Sequence, residues 1–103
     1  MQTKLLYIGS ATLVLAALAI GPASSYTGQK LAKDAKITLI QAREIALKAH
    51  AGKITDEELE AENGGTGLRY SFDIKSADGV HEVGVDANTG NVLENKKEGS
   101  HPD

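Results

Sequence analysis

The chain has 103 residues, a net charge of −3, three Tyr, one Phe, no Trp and no Cys. This composition excludes thiolate catalysis, Cys-ligated zinc and a disulfide framework, and it lacks the basic and aromatic clusters that nucleic-acid binding needs. A chain of this length makes one small domain, held by its core, by self-association or by a partner.

Residues 1–23 read as a secretory signal peptide. Met1 to Lys4 is short and basic, Leu5 to Gly21 is nearly all apolar or small, and a polar stretch rich in Ser and Gly follows. Gly21-Pro22-Ala23 and Ala23-Ser24-Ser25 both fit a small-x-small cleavage site. An uncleaved anchor is the alternative, although the apolar run is at the short limit for spanning a bilayer. No Cys follows it to carry a lipid. Cleavage leaves about 80 residues, more acidic by the one charge of Lys4. Residues 24–36 are small and polar and read as a flexible spacer. A short helical turn near Leu31 is compatible with that stretch and could be ordered by a partner.

Thr38 opens the first strong element. Thr38 and Gln41 have the spacing of a capping box, in which each side chain satisfies a free N–H near the other. The spacing predicts a helix from Leu39 to Ala49 or His50, with Ala42, Ile45, Ala46 and Ala49 on one stripe. Gln41, Glu44, Lys48 and most of Arg43 lie toward solvent, and Gly52 offers a left-handed stop. Lys53 to Asn63 then alternates Leu59 and Ala61 with acids, as a half-buried strand does. Ile54 has the opposite parity, so either a bulge intervenes or Ile54 belongs to the connection. Asp56, Glu57, Glu58, Glu60 and Glu62 lie here with no base among them. They read as a charged edge strand or as a surface for a basic partner or a cation, and they are the candidate partner-binding residues.

Asn63 to Gly67 is a flexible hairpin loop. Leu68, Tyr70, Phe72 and Ile74 then alternate with Arg69, Ser71, Asp73 and Lys75, which predicts a strand with Phe72 central. An Asp78-Gly79 turn would set Ile74 opposite Val83, Phe72 opposite Val85 and Tyr70 opposite Ala87. A four-residue loop, Ser76 to Gly79, keeps the same parity. The face bearing Arg69, Ser71, Asp73, Lys75, Glu82 and Asp86 is expected to be wet. Val83 to Leu93 reads as a strand, an Asn88-Thr89-Gly90 loop with Gly90 left-handed, and a returning strand that sets Val85 against Leu93. Residues 96–103 read as a disordered tail. Residues 37–95 therefore form a two-layer α+β domain, one N-terminal helix packed on a three- to four-stranded antiparallel sheet.

Chemistry is sparse. His50 reads as a helix C-terminal cap, and His81 as a histidine at the rim of the core. No spacing unites them with His101 as metal ligands. Asp86-Ala87-Asn88-Thr89-Gly90 fails as a calcium loop, because Asn91 and Lys97 stand where Gly and Glu are required. Ser71 and Ser76 lack a positioned histidine base. No catalytic residue, metal ligand or cofactor is expected.

Thr38-Leu39-Ile40-Gln41-Ala42-Arg43-Glu44-Ile45-Ala46-Leu47-Lys48-Ala49-His50-Ala51-Gly52-Lys53 resembles the opening helix of PepSY domains, with Ala51 where proline is frequent. Tyr70, Phe72, Ile74, Val83, Val85-Asp86-Ala87, Thr89-Gly90 and Val92-Leu93 resemble the family's closing hairpin. The Gly64-Gly65-Thr66-Gly67 loop is longer than in many members. The resemblance implies a secreted or periplasmic protein-binding module that regulates or inhibits a peptidase, and no enzyme. The alternative is a weak divalent-cation-binding periplasmic protein using Asp56–Glu62.

Overall fold

The computed structural model describes residues 25–99. The expected signal peptide, residues 1–23, lies outside the described residues, as does the end of the tail. Among the described residues no helix is long and apolar enough to cross a membrane.

Helix α1 spans Leu39–Ala49. Its capping box is formed: Gln41 N–H donates to Thr38 Oγ1 at 3.1 Å, and Gln41 Oε1 accepts from Thr38 N–H at 2.8 Å. Ala42 and Ala46 are fully buried, and their short side chains let the helix sit close to the sheet. His50, in extended backbone, ends the helix ahead of Gly52.

Four strands follow, β1 (Lys53–Ala61), β2 (Leu68–Ser76), β3 (Gly79–Asp86) and β4 (Val92–Lys97), in the sheet order β1-β2-β3-β4. All pairs are antiparallel. The described residues therefore form one α-helix on a four-stranded sheet, a two-layer α+β fold. β1 carries an irregularity between Ile54 and Asp56, which is the bulge that brings Ile54 and Leu59 to one face. The core gathers Leu59, Tyr70, Phe72, Ile74, Val83 and Val85 under Ala42 and Ala46. Tyr70 reaches past it, its hydroxyl donating to the Ile37 carbonyl at 2.8 Å.

The structure selects one of two expected β2–β3 registers and corrects that of the last hairpin. The β2–β3 turn is centred on Ala77-Asp78, so Ile74 meets His81, Phe72 meets Val83 and Tyr70 meets Val85. This is the register of the four-residue loop. The Ser76 hydroxyl fixes it by donating to the Asp78 carboxylate within the turn. In the last hairpin Val85 pairs with Val92 rather than Leu93, across an irregularity between Gly84 and Val85. Val92 is left 44% exposed, while Leu93 comes over Gly65. Gly90 is left-handed, at φ 82°.

The stretch expected as a flexible spacer is seated on the sheet in its described part. Thr27 bridges β1 in parallel, its carbonyl accepting from Leu59 N–H at 2.9 Å. A 3₁₀ turn, Gln29–Asp34, follows and lays Leu31 and Ala32 against the core. Gly28 makes the approach feasible: it sits at φ 83°, and a Cβ there would stand 1.8 Å from the Leu59 carbonyl oxygen. The tail also differs from expectation, because β4 runs through Lys97 and Glu98 N–H donates to the Val80 carbonyl.

The face opposite the helix is not uniformly wet. Arg69, Ser71 and Asp86 are buried there. Asp86 collects Thr66 N–H at 2.7 Å, Thr66 Oγ1 at 2.8 Å, Asn88 N–H at 2.8 Å and Thr89 N–H at 3.1 Å. The β1–β2 loop thus folds over the sheet end and closes it. Burial alone would raise the Asp86 carboxyl, but these donors outweigh it and hold the group at about 2.

Candidate partner-binding surface

The five acids singled out in the sequence divide between the two faces of β1. Glu57 lies on the helix side, where Arg43 holds it through Nε at 2.9 Å and Nη2 at 2.7 Å. This bidentate pair ties the helix to the edge strand. It raises the Arg43 guanidinium, first through the Glu57 hydrogen bond. Asp56, Glu58 and Glu60 lie on the open face, since each stands opposite Asp73, Ser71 and Arg69 respectively. Glu62 lies beyond the strand and is exposed. The segment does not converge on one point.

The open face acquires further acids from the neighbouring strands. Directly opposed residues share a face, which gives one row of Asp56, Asp73, Glu82 and Lys96 and another of Glu58, Ser71, Gly84 and Glu94. Three carboxylates thus stand side by side on adjacent strands before a single lysine ends the row. Burial raises the Asp73 carboxyl, and the Glu98, Asp56 and Glu58 carboxylates raise it further. Glu82 is raised by burial and then by Glu94 and Asp73. Toward the closed end, Ser71 donates to Glu60 at 2.8 Å, and Arg69 reaches Glu94 at 3.3 Å and the Asn63 carbonyl at 3.0 Å. Asp73, Glu82 and Glu94 escape a search along one segment because they come from three strands. Their signal is the shared parity of acids on β2, β3 and β4.

Two other places have geometry but no catalytic polarity. A shallow groove of about 530 Å³ lies between Tyr26-Thr27 and the bulged part of β1, lined also by Ser25, Ile54, Thr55, Asp56 and Glu57. It contains no histidine. Ser76 was expected to lack a positioned histidine base, and a histidine does stand beside it, with His50 Nε2 3.1 Å from its Oγ. The Ser76 proton, however, goes to Asp78. The imidazole can then only donate to the serine, the reverse of what a general base does.

A family model described as peptidase propeptide and YPEB domain, PepSY, matches residues 36–96. No curated protein and no solved structure matches the chain.

Proposed function

Because the chain belongs to the PepSY family, with the match covering its helix and all four strands, we propose that it is an exported, non-enzymatic module that binds and restrains a secreted or periplasmic peptidase. In this reading the open sheet face is the binding surface, and the partner meets it with lysines or arginines. The family description supports a peptidase as the partner. The observation that carries the choice of surface is the Asp56–Asp73–Glu82 row. Like charges directly opposed across strands destabilise a sheet, and a partner bringing positive side chains removes that penalty on contact. Glu57 is engaged by Arg43, so it belongs to the domain's own structure.

The test compares the chain with a triple variant, Asp56→Asn, Asp73→Asn, Glu82→Gln, as baits for the proteins exported by the same cells. One peptidase retained by the natural chain, inhibited by it and lost with the variant is the expected result. Equal retention by both baits would remove the open face from the account. Retention of no peptidase would remove the peptidase partner.

A further inference from the structure

We propose that His50, His81 and Asp78 form a site for a borderline transition-metal dication such as Zn²⁺, where the helix ends beside the β2–β3 turn. The three come from the helix cap, the turn and strand β3, so no sequence spacing announces them. One imidazole nitrogen from each ring and a carboxylate oxygen of Asp78 lie within 4.8 Å of one another.

The hydrogen bonds around the pair set both tautomers for ligation. Asn95 Nδ2 donates to the Ala49 carbonyl at 3.2 Å, which turns its Oδ1 toward His81 Nδ1 at 3.4 Å. An amide oxygen only accepts, so Nδ1 carries the proton and His81 Nε2 keeps its lone pair. That Nε2 is buried without a hydrogen-bond partner. It stands 3.6 Å from Asp78 Oδ2, so two acceptors face one another. Two ligand atoms about 2.1 Å from a tetrahedral ion are themselves about 3.4 Å apart, close to that separation. On the other ring, Ser76 spends its proton on Asp78. His50 Nε2 therefore donates to Ser76 at 3.1 Å, and its Nδ1 is left free. Each imidazole thus has one N–H held by a second residue, which orients the ring.

Two imidazoles with one carboxylate favour zinc over calcium or magnesium, which take oxygen ligands, and leave a fourth position for water. The ring planes are stacked, 3.6 Å apart at their centroids and 11° from parallel. Lone pairs in parallel planes do not meet at one point, so the ion opens the stack by rotating the rings about their side-chain bonds. The site is separate from the acidic face and does not depend on the peptidase partner.

The test is thermal unfolding of the tag-free chain with Zn²⁺, Ca²⁺ or chelator, alongside nitrogen-detected histidine NMR. Zn²⁺ is expected to raise Tm by about 5 °C and to shift one ring nitrogen of His50 together with His81 Nε2. Ca²⁺ leaves both unchanged. His50→Gln, His81→Gln and Asp78→Asn each abolish the Tm response, and His101→Gln preserves it. No Zn²⁺ response in the natural chain overturns the proposal. So does a response that survives His50→Gln with His81→Gln, or an equal response to Ca²⁺. Retained far-UV circular dichroism in the variants separates loss of the site from loss of the fold. Histidine signals that move with pH alone and never with Zn²⁺ would assign the gap between Nε2 and Asp78 to a proton and refute the metal.

Discussion

Asp73 faces Glu82 directly across the β2–β3 ladder, carboxylate against carboxylate, with Asp56 on its other side. The arrangement is adverse to the isolated domain, and that gives it testable consequences. Asp73→Asn should stabilise the fold by up to about 1 kcal/mol, the scale of a directly opposed like-charge pair. Chemical denaturation at neutral pH measures it. A destabilised variant would mean that Asp73 makes a favourable contact.

The acid limb of the stability profile should turn over. Asp73 and Glu82 are raised above their ordinary values, first by burial and then by neighbouring carboxylates. Folded chains therefore take up those protons before unfolded chains do, and stability rises as pH falls through that range. Asp86 has the opposite sign. Its carboxyl, held at about 2, contributes stability that is full above the ordinary value of 3.8 and is lost as pH falls toward 2. Urea midpoints should rise on mild acidification and then fall. In Asp73→Asn with Glu82→Gln the rise disappears.

Asp86→Ala strands the Thr66, Asn88 and Thr89 donors at the closed end of the sheet. The expected loss is about 1–3 kcal/mol, the penalty for unsatisfied buried donors. Because Thr66 sits in the β1–β2 loop, amide exchange in residues 63–67 should accelerate beyond the global change.

Gly28→Ala should release the N-terminal strap and leave the domain folded. Both the positive φ and the Leu59 carbonyl oppose a Cβ there. Hydrogen exchange reads it through Leu59 N–H, which donates to Thr27. Protection at Leu59 is lost while Phe72 and Val83 keep theirs. Phe72→Ala, by contrast, removes a fully buried ring and should cost about 3–5 kcal/mol, most of the stability of a small domain.

The helix and its capping box were legible because both are local, and the mismatched parity of Ile54 and Leu59 left the β1 bulge as one of two readings. Parity alone does not set register. A shift of two residues leaves every side chain on its face, so the alternation in β2 was compatible with turns at Asp78-Gly79 and at Ala77-Asp78. The Ser76–Asp78 contact decides between them. Burial of Arg69 and Asp86 escaped the alternation because much of their cover comes from Thr66 and Glu94, distant in sequence. A helical turn near Leu31 was legible, but the seating of the 25–36 strap was hidden by its polarity, since only Tyr26, Leu31, Ala32 and Ala35 pack against the core. Of the candidate surface, the acids of β1 were visible as a run. Their division between two faces, and their union with Asp73 and Glu82, needed the register. The His50–His81 stack needed the whole fold.

The most direct measurement is inhibition of the captured peptidase by the natural chain and by the Asp56→Asn, Asp73→Asn, Glu82→Gln variant, each at low and high salt. The account predicts inhibition by the natural chain that weakens about tenfold or more in the variant, and a salt dependence that shrinks with the lost charges. Equal inhibition by both proteins, insensitive to salt, would contradict it.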